Sequence, residues 1–179
     1  MFFVSEIKST EPELFKTLLQ EKTYRTLEHL QIPFARVDTD EAVTMDDCVL
    51  INEKLQMNMV KTLFLCNRQQ TAYYLFITTG DKTFSSKSFS ASLGISRVSF
   101  APPEKMLTML GTKIGAATVF SALTDTENNV QIVFDHDVLD QTWYGCSDGT
   151  TTSYMKVRTE DIVIKFLPYT HHPAEMINM

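Results

Sequence analysis

Apolar residues recur at Leu14, Phe15, Leu18, Leu19, Leu27 and Leu30, close to the spacing of one helix face. They predict a helix from residue 10 to about 29. Its start has the form of a capping box, with Thr10 as cap, Pro12 in the first turn and Glu13 reaching back. An extended piece follows Pro33, and residues 44–55 read as a short helix with Asp46 and Asp47 near its positive end. The clearest strands are residues 60–66 and 71–78, rich in β-formers and joined by the hairpin-sized Asn67-Arg68-Gln69-Gln70. Further along, the pattern predicts a helix over 84–93, a strand around 97–100, and a helix opened by Pro102-Pro103 and stopped by Gly111. Strands are predicted at 119–123, 130–134 and 152–157, and a last helix from Thr159 that ends before Pro168. Strands and helices mix without strict alternation, and no repeat or linker interrupts them. This predicts a single α+β domain over residues 1–179, a mixed, largely antiparallel sheet with packed helices.

The chain has 179 residues, 44% hydrophobic and 21% charged, enough for one sizeable core and ordinary for a globular protein. Apolar runs such as Leu63-Phe64-Leu65-Cys66 are strand-sized, far from the ~20 residues of a membrane helix. The opening residues have no basic region followed by a long apolar stretch, so no secretory leader is expected. With three cysteines and no CxxC pair, the expectation is a reduced, cytoplasmic setting without membrane association. A net charge of −6 disfavours coating of long phosphate backbones. It leaves room for a local basic surface, for which Lys82, Lys87, Arg97, Lys105 and Lys113 are candidates.

Candidate chemistry is sparse. Gly111-Thr112-Lys113-Ile114-Gly115 lacks the GK[ST] ending of a phosphate loop and reads as a turn needing unusual backbone angles. His29, His136, His171 and His172 have no cysteine or carboxylate partners at ligand spacing, so no metal is expected. Cys146 near Asp148 suggests a thiol nucleophile, but no histidine is close in sequence to activate it. Lys61 stands out because it interrupts the apolar strand Met59-Val60-Lys61-Thr62-Leu63-Phe64-Leu65. Two readings fit: a partly desolvated ammonium seeking an anion or carbonyl, or a lysine reaching out to solvent from the strand end.

Lys61-Thr62-Leu63-Phe64-Leu65-Cys66-Asn67-Arg68 resembles the KNLFLCN segment of the YbaK/ProX family, freestanding relatives of the editing insertion in bacterial prolyl-tRNA synthetase. Tyr73-Tyr74-Leu75, Gly80-Asp81-Lys82, Ser92-Leu93-Gly94 and Arg97-Val98-Ser99-Phe100-Ala101 follow in the family's order. Residues 111–125 are similar to its glycine loop, LGxxPGSVxPFGLxND. Val133-Phe134-Asp135 and Thr159-Glu160-Asp161-Ile162 resemble its later motifs. The likeness spans about residues 33–167.

The resemblance implies an aminoacyl-tRNA deacylase that edits in trans, with Ala-tRNA(Pro) as the expected substrate and no cofactor. Lys61 would hold the terminal adenosine or its phosphate, contributing position and electrostatics rather than covalent attack. Gly111, Gly115, Ala116, Thr118 and Val119 would approach the aminoacyl group. The partners implied are the aminoacylated 3′ end of tRNA and a weak contact with an aminoacyl-tRNA synthetase. Two departures matter: Val119 replaces the loop's usual proline or small residue, and Ser147 and Asp148 replace the histidine and proline of GCHPCxNT. Ser147 and Asp148 are then expected to serve the substrate, Asp148 by binding its ammonium. The same departures motivate an alternative, a module that binds the tRNA end or aminoacyl-tRNA but has lost turnover.

Overall fold

The computed structural model describes residues 1–42 and 44–179. Two sheets form the scaffold. The larger has the order β4-β2-β3-β5-β8, built from β2 (Val60–Asn67), β3 (Tyr73–Thr79), β4 (Val98–Phe100), β5 (Val130–Asp135) and β8 (Ala174–Ile177). β2 pairs antiparallel with β3 and β4, whereas β5 runs parallel to both β3 and β8, so this sheet is mixed. The smaller sheet is antiparallel, with β7 (Ser153–Arg158) between β1 (Ala35–Asp38) and β6 (Trp143–Ser147). A parallel bridge, Met59 to Gly145, ties the two sheets at the start of β2.

Helices cover these sheets: α1 (Leu18–His29), α2 (Val49–Leu55), α3 (Ser86–Leu93), α4 (Pro103–Lys105), α5 (His136–Leu139), α6 (Thr159–Asp161) and α7 (Leu167–Tyr169). Wide π turns over Met106–Leu110 and Ile162–Phe166 extend α4 and join α6 to α7. The main core gathers Tyr24 and Leu27 of α1, Phe134, Tyr144, Val157 and Phe166. The alternation of β2 divides its neighbours. Leu65 packs with Phe76 and Phe89 on one face, while Phe64 and Cys66 join Tyr73 and Leu75 on the other.

The α+β class follows the sequence pattern, but three local expectations are corrected. The first helix begins at Leu18, not at residue 10. Thr17 caps it by accepting the Gln20 amide at 3.0 Å. The earlier segment instead runs along β1, with Lys8 bridged to Arg36 and the Thr10 carbonyl taken by the Arg36 guanidinium. Val119–Leu123 is a 3-10 turn rather than a strand, and Thr118 caps it by accepting the Phe120 amide. The final helical stretch continues through Pro168 to Tyr169. Among the described residues, no helix is long and apolar enough to cross a membrane.

Candidate active site

The site begins with an interrupted ladder. β4 covers only Leu65, Cys66 and Asn67 of β2, and its last bond runs from the Ala101 amide to the Phe64 carbonyl at 2.9 Å. Pro102 and Pro103 then turn the chain into α4. The first half of β2 is left as an edge, and beside it lies a cavity of about 640 Å³. That volume is within the range of small-ligand sites. Its walls include Val60 to Phe64 of β2, Phe100 to Pro103, Met106, Cys48, Tyr154, Ile114, Gly115, Ala117, Cys146 and Ser147. They are mostly apolar, and Lys61 is the one charged side chain among the described lining residues.

Lys61 is half-buried, and its ammonium donates to the backbone carbonyl of Lys82. That carbonyl is held in place from behind. The Lys82 ammonium reaches Asp135 at 2.8 Å and Asp137 at 2.7 Å, and donates to the Met179 carbonyl. Burial would raise the Asp135 carboxyl, but the Lys82 and Thr78 hydrogen bonds outweigh it and hold it below the usual carboxylate range. Lys61 makes no salt bridge among the described residues, so two of its three donors are available to a ligand. Lys82 itself is unsuited to bind RNA, because two carboxylates already take its charge.

Three loops meet around the mouth. Glu41 accepts Lys113 at 2.9 Å and the Thr151 hydroxyl at 3.2 Å, so the segment before α2, the glycine loop and the β6–β7 turn are tied together. The Lys113 hydrogen bond, with help from Thr151, lowers the Glu41 carboxyl. Phe100, 62% exposed, stands at the rim with its ring against Phe84.

The structure brings Lys61, Gly115 and Ser147 into one wall and puts the other sequence candidates behind it. Gly111 ends the α4 helical stretch at φ +70°, where a Cβ would meet the Thr124 hydroxyl. Ala116, Thr118 and Val119 are fully buried and do not line the cavity. Val119 belongs to the main core, which explains why a bulky residue is accommodated there. Gly115 reaches the wall at φ +89°, where glycine is favoured.

Asp148 also points away. It is fully buried and accepts four hydrogen bonds: Gln20 Nε2 at 2.9 Å, Tyr24 Oη at 2.8 Å, Thr150 Oγ1 at 2.8 Å and the Thr150 amide at 3.1 Å. This carboxylate staples α1 to the β6–β7 turn and has no face for a substrate ammonium. Burial and the Asp148 charge push the Tyr24 phenol well up, keeping it a donor. Ser147 closes the same turn, donating to the Thr150 carbonyl and accepting the Gly149 amide. Cys146 lines the cavity, but burial pushes its thiol far up, and Cys48 is raised to about 11, also chiefly by burial. Neither is a thiolate at neutral pH.

His172 is buried against Asp125 at 2.9 Å and anchors the tail. Among the described residues, no three His, Cys, Asp or Glu side chains form a metal-ligating group. The sequence reading missed the rim from Phe100 to Met106; the signal available was the Pro-Pro pair directly after a strand.

The family model of the aminoacyl-tRNA editing domain matches residues 39–164, which include every wall of this cavity. The chain belongs to that family. It is 23% identical over 136 residues to the prolyl-tRNA editing protein ProX of Acetoanaerobium sticklandii, covering 76% of this chain and 83% of the relative. Solved structures share the fold. A candidate trans-editing enzyme for prolyl-tRNA synthetase superposes with TM-score 0.68 at 14% identity, over 92% of this chain and 99% of its own. A hypothetical protein gives 0.65 at 14% identity, over 87% and 98%.

Proposed function

We propose that this protein is a trans-editing deacylase that hydrolyses mischarged tRNA(Pro), with Ala-tRNA(Pro) as its principal substrate. The observation that carries the reading is the placement of Lys61. It is the one cation among the described lining residues, with spare donors, in the wall of a mostly apolar cavity shared with Gly115 and Ser147. The cavity has room for an aminoacyl group together with the terminal nucleoside. Prolyl-tRNA as the RNA follows the ProX relative and the structural neighbour.

The chemistry is ester hydrolysis. A water oxygen, with the neighbouring ribose hydroxyl acting on it, adds to the ester carbonyl and gives up a proton to that hydroxyl or to solvent. The bond between carbonyl carbon and ribose oxygen then breaks, and that oxygen takes up a proton. The described lining residues include no carboxylate or histidine, so no side-chain general base is assigned. Lys61 contributes by fixing the terminal phosphate or the polarised carbonyl in a desolvated site.

Outside the cavity, Lys87, Arg97 and Lys105 make no salt bridge among the described residues. All three belong to the α3–β4–α4 side that carries Phe100, so they suit the phosphates leading to the 3′ end. A weak contact with prolyl-tRNA synthetase would deliver the mischarged product. The test is hydrolysis of labelled Ala-, Cys-, Ser- and Pro-tRNA(Pro) under single turnover. Rapid loss of alanine with proline retained supports the reading. Tight binding of all four without hydrolysis replaces it with a tRNA-end binding module.

A further inference from the structure

The gap in the β2 ladder has a definite shape. Peptide groups along a strand alternate between its two neighbours. Because the Phe64 carbonyl points to β4, where it accepts the Ala101 amide, the N–H and C=O of Thr62 point to the same side. No strand among the described residues covers them there. In the β2–β4 register, Leu65 faces Phe100, so the position opposite Thr62 falls at Pro103, which has no N–H to give. Pairing resumes only at Met59, bridged to Gly145. Thr62 therefore presents one amide donor and one carbonyl acceptor to the cavity, side by side. A substrate ammonium also needs an acceptor, and the described lining residues include no carboxylate. Asp148 is spoken for by its four donors.

We propose that the open edge of β2 reads the aminoacyl group as one more strand residue, with the Thr62 carbonyl accepting the α-ammonium and the Thr62 amide donating to the ester carbonyl. This is the double exchange of a hydrogen-bonded antiparallel pair, made with a single amino acid. It rests on the deacylase reading and adds to it the residue that receives the amine. The arrangement separates the charges. The Lys61 side chain lies on the face shared with Leu63 and reaches the Lys82 carbonyl, whereas the Thr62 peptide group points out from the edge. The amide donor also sits where the ester oxygen gains charge during attack, a position at which it stabilises the transition state.

The test uses binding, so it does not depend on turnover. The full-length protein is titrated with tRNA(Pro) ending in 3′-amino-3′-deoxyadenosine that carries alanine through a non-hydrolysable amide. It is then titrated with the same tRNA carrying propionate, which lacks only the ammonium, and with the same tRNA unacylated. The alanyl form is expected to bind about tenfold or more tighter than the propionyl form, the scale of a hydrogen bond to a charged group. In a crystal of the alanyl complex, its nitrogen is expected within hydrogen-bond distance of the Thr62 carbonyl. Equal binding of alanyl and propionyl forms, or an ammonium seated on another group, overturns the inference while leaving the deacylase reading in place. If neither acylated form binds better than the unacylated tRNA and Ala-tRNA(Pro) is not hydrolysed in single turnover, both fall together.

Discussion

Replacing Asp148 by alanine separates two accounts of this residue, one taken from motif position and one from geometry. The carboxylate is fully buried and holds the Gln20 amide, the Tyr24 phenol, and the amide and hydroxyl of Thr150. Alanine leaves the Gln20 and Thr150 amides buried without an acceptor and the Tyr24 phenol with only the Ser153 hydroxyl, at about 1–3 kcal/mol each before relaxation. Water entering the vacated space recovers part of this, so the net loss is expected at about 3–5 kcal/mol. For a chain of this size that is roughly a 10 °C fall in Tm. Asp148→Asn keeps the shape but offers a nitrogen to some of the donors, and should lose about half as much. Urea unfolding followed by circular dichroism measures both, with an unchanged m-value as the check on the reference state. A loss below about 1 kcal/mol for Asp148→Ala would refute the structural role, whose magnitude rests on uncompensated donors. If stability were unchanged and affinity for an aminoacyl analogue fell, Asp148 would be a substrate ligand after all.

Two further outcomes follow from the same contacts. Cys146→Ser should deacylate within a few-fold of the native rate, because burial keeps that thiol protonated; a hundredfold loss would make Cys146 a nucleophile. Lys82→Met should destabilise the fold more at pH 7 than at pH 3. Asp135 is depressed in the folded state, so its contribution is full above the ordinary carboxylate range and is lost as pH falls through the folded value. Without Lys82, only the Thr78 hydroxyl and the Asp137 amide counter the burial of Asp135, whose cost arises only while the group is ionised. Urea unfolding of both proteins at the two pH values measures this, and an equal difference at each would contradict it.

Much of this fold is legible in local pattern. The β2–β3 hairpin, the Ser85-capped α3 with Gly94 at its end, and the Pro-Pro start of α4 are set by short-range signals that nothing distant overrides. The misses have physical causes. Thr10-Glu11-Pro12-Glu13 looks like a helix start, but Arg36 and β1 offer that segment long-range hydrogen bonds, and Thr17 supplies the cap. The Val119–Leu123 segment is apolar enough for a strand, and only tertiary packing in the main core chooses a 3-10 turn. At the site, Lys61 drew attention because a charge inside an apolar strand demands a reason, and it lines the cavity. The buried contacts of Asp148 were not foreseeable, because motif position says nothing about which way a side chain points. Its ligands, Gln20 and Tyr24, come from a helix more than 120 residues earlier. The open edge at Thr62 was hidden for the same reason: it exists only through the pairing register of β4 against β2.

The central claim is that Lys61 positions the scissile ester in the cavity beside β2, and Lys61→Ala tests it most directly. Lys61 is half-buried in β2, and alanine is sterically acceptable there, removing the stem, the charge and its bond to the Lys82 carbonyl. Single-turnover deacylation of Ala-tRNA(Pro) is measured for the native protein and the variant, with thermal melts as the folding control. Loss of a preorganised charged donor should slow hydrolysis by roughly a hundredfold or more, about 3–4 kcal/mol in barrier, with Tm little changed. Lys61→Arg should not restore it, since a planar guanidinium does not replace a compact ammonium at the Lys82 carbonyl. A folded Lys61→Ala protein that releases alanine at the native rate would contradict the account.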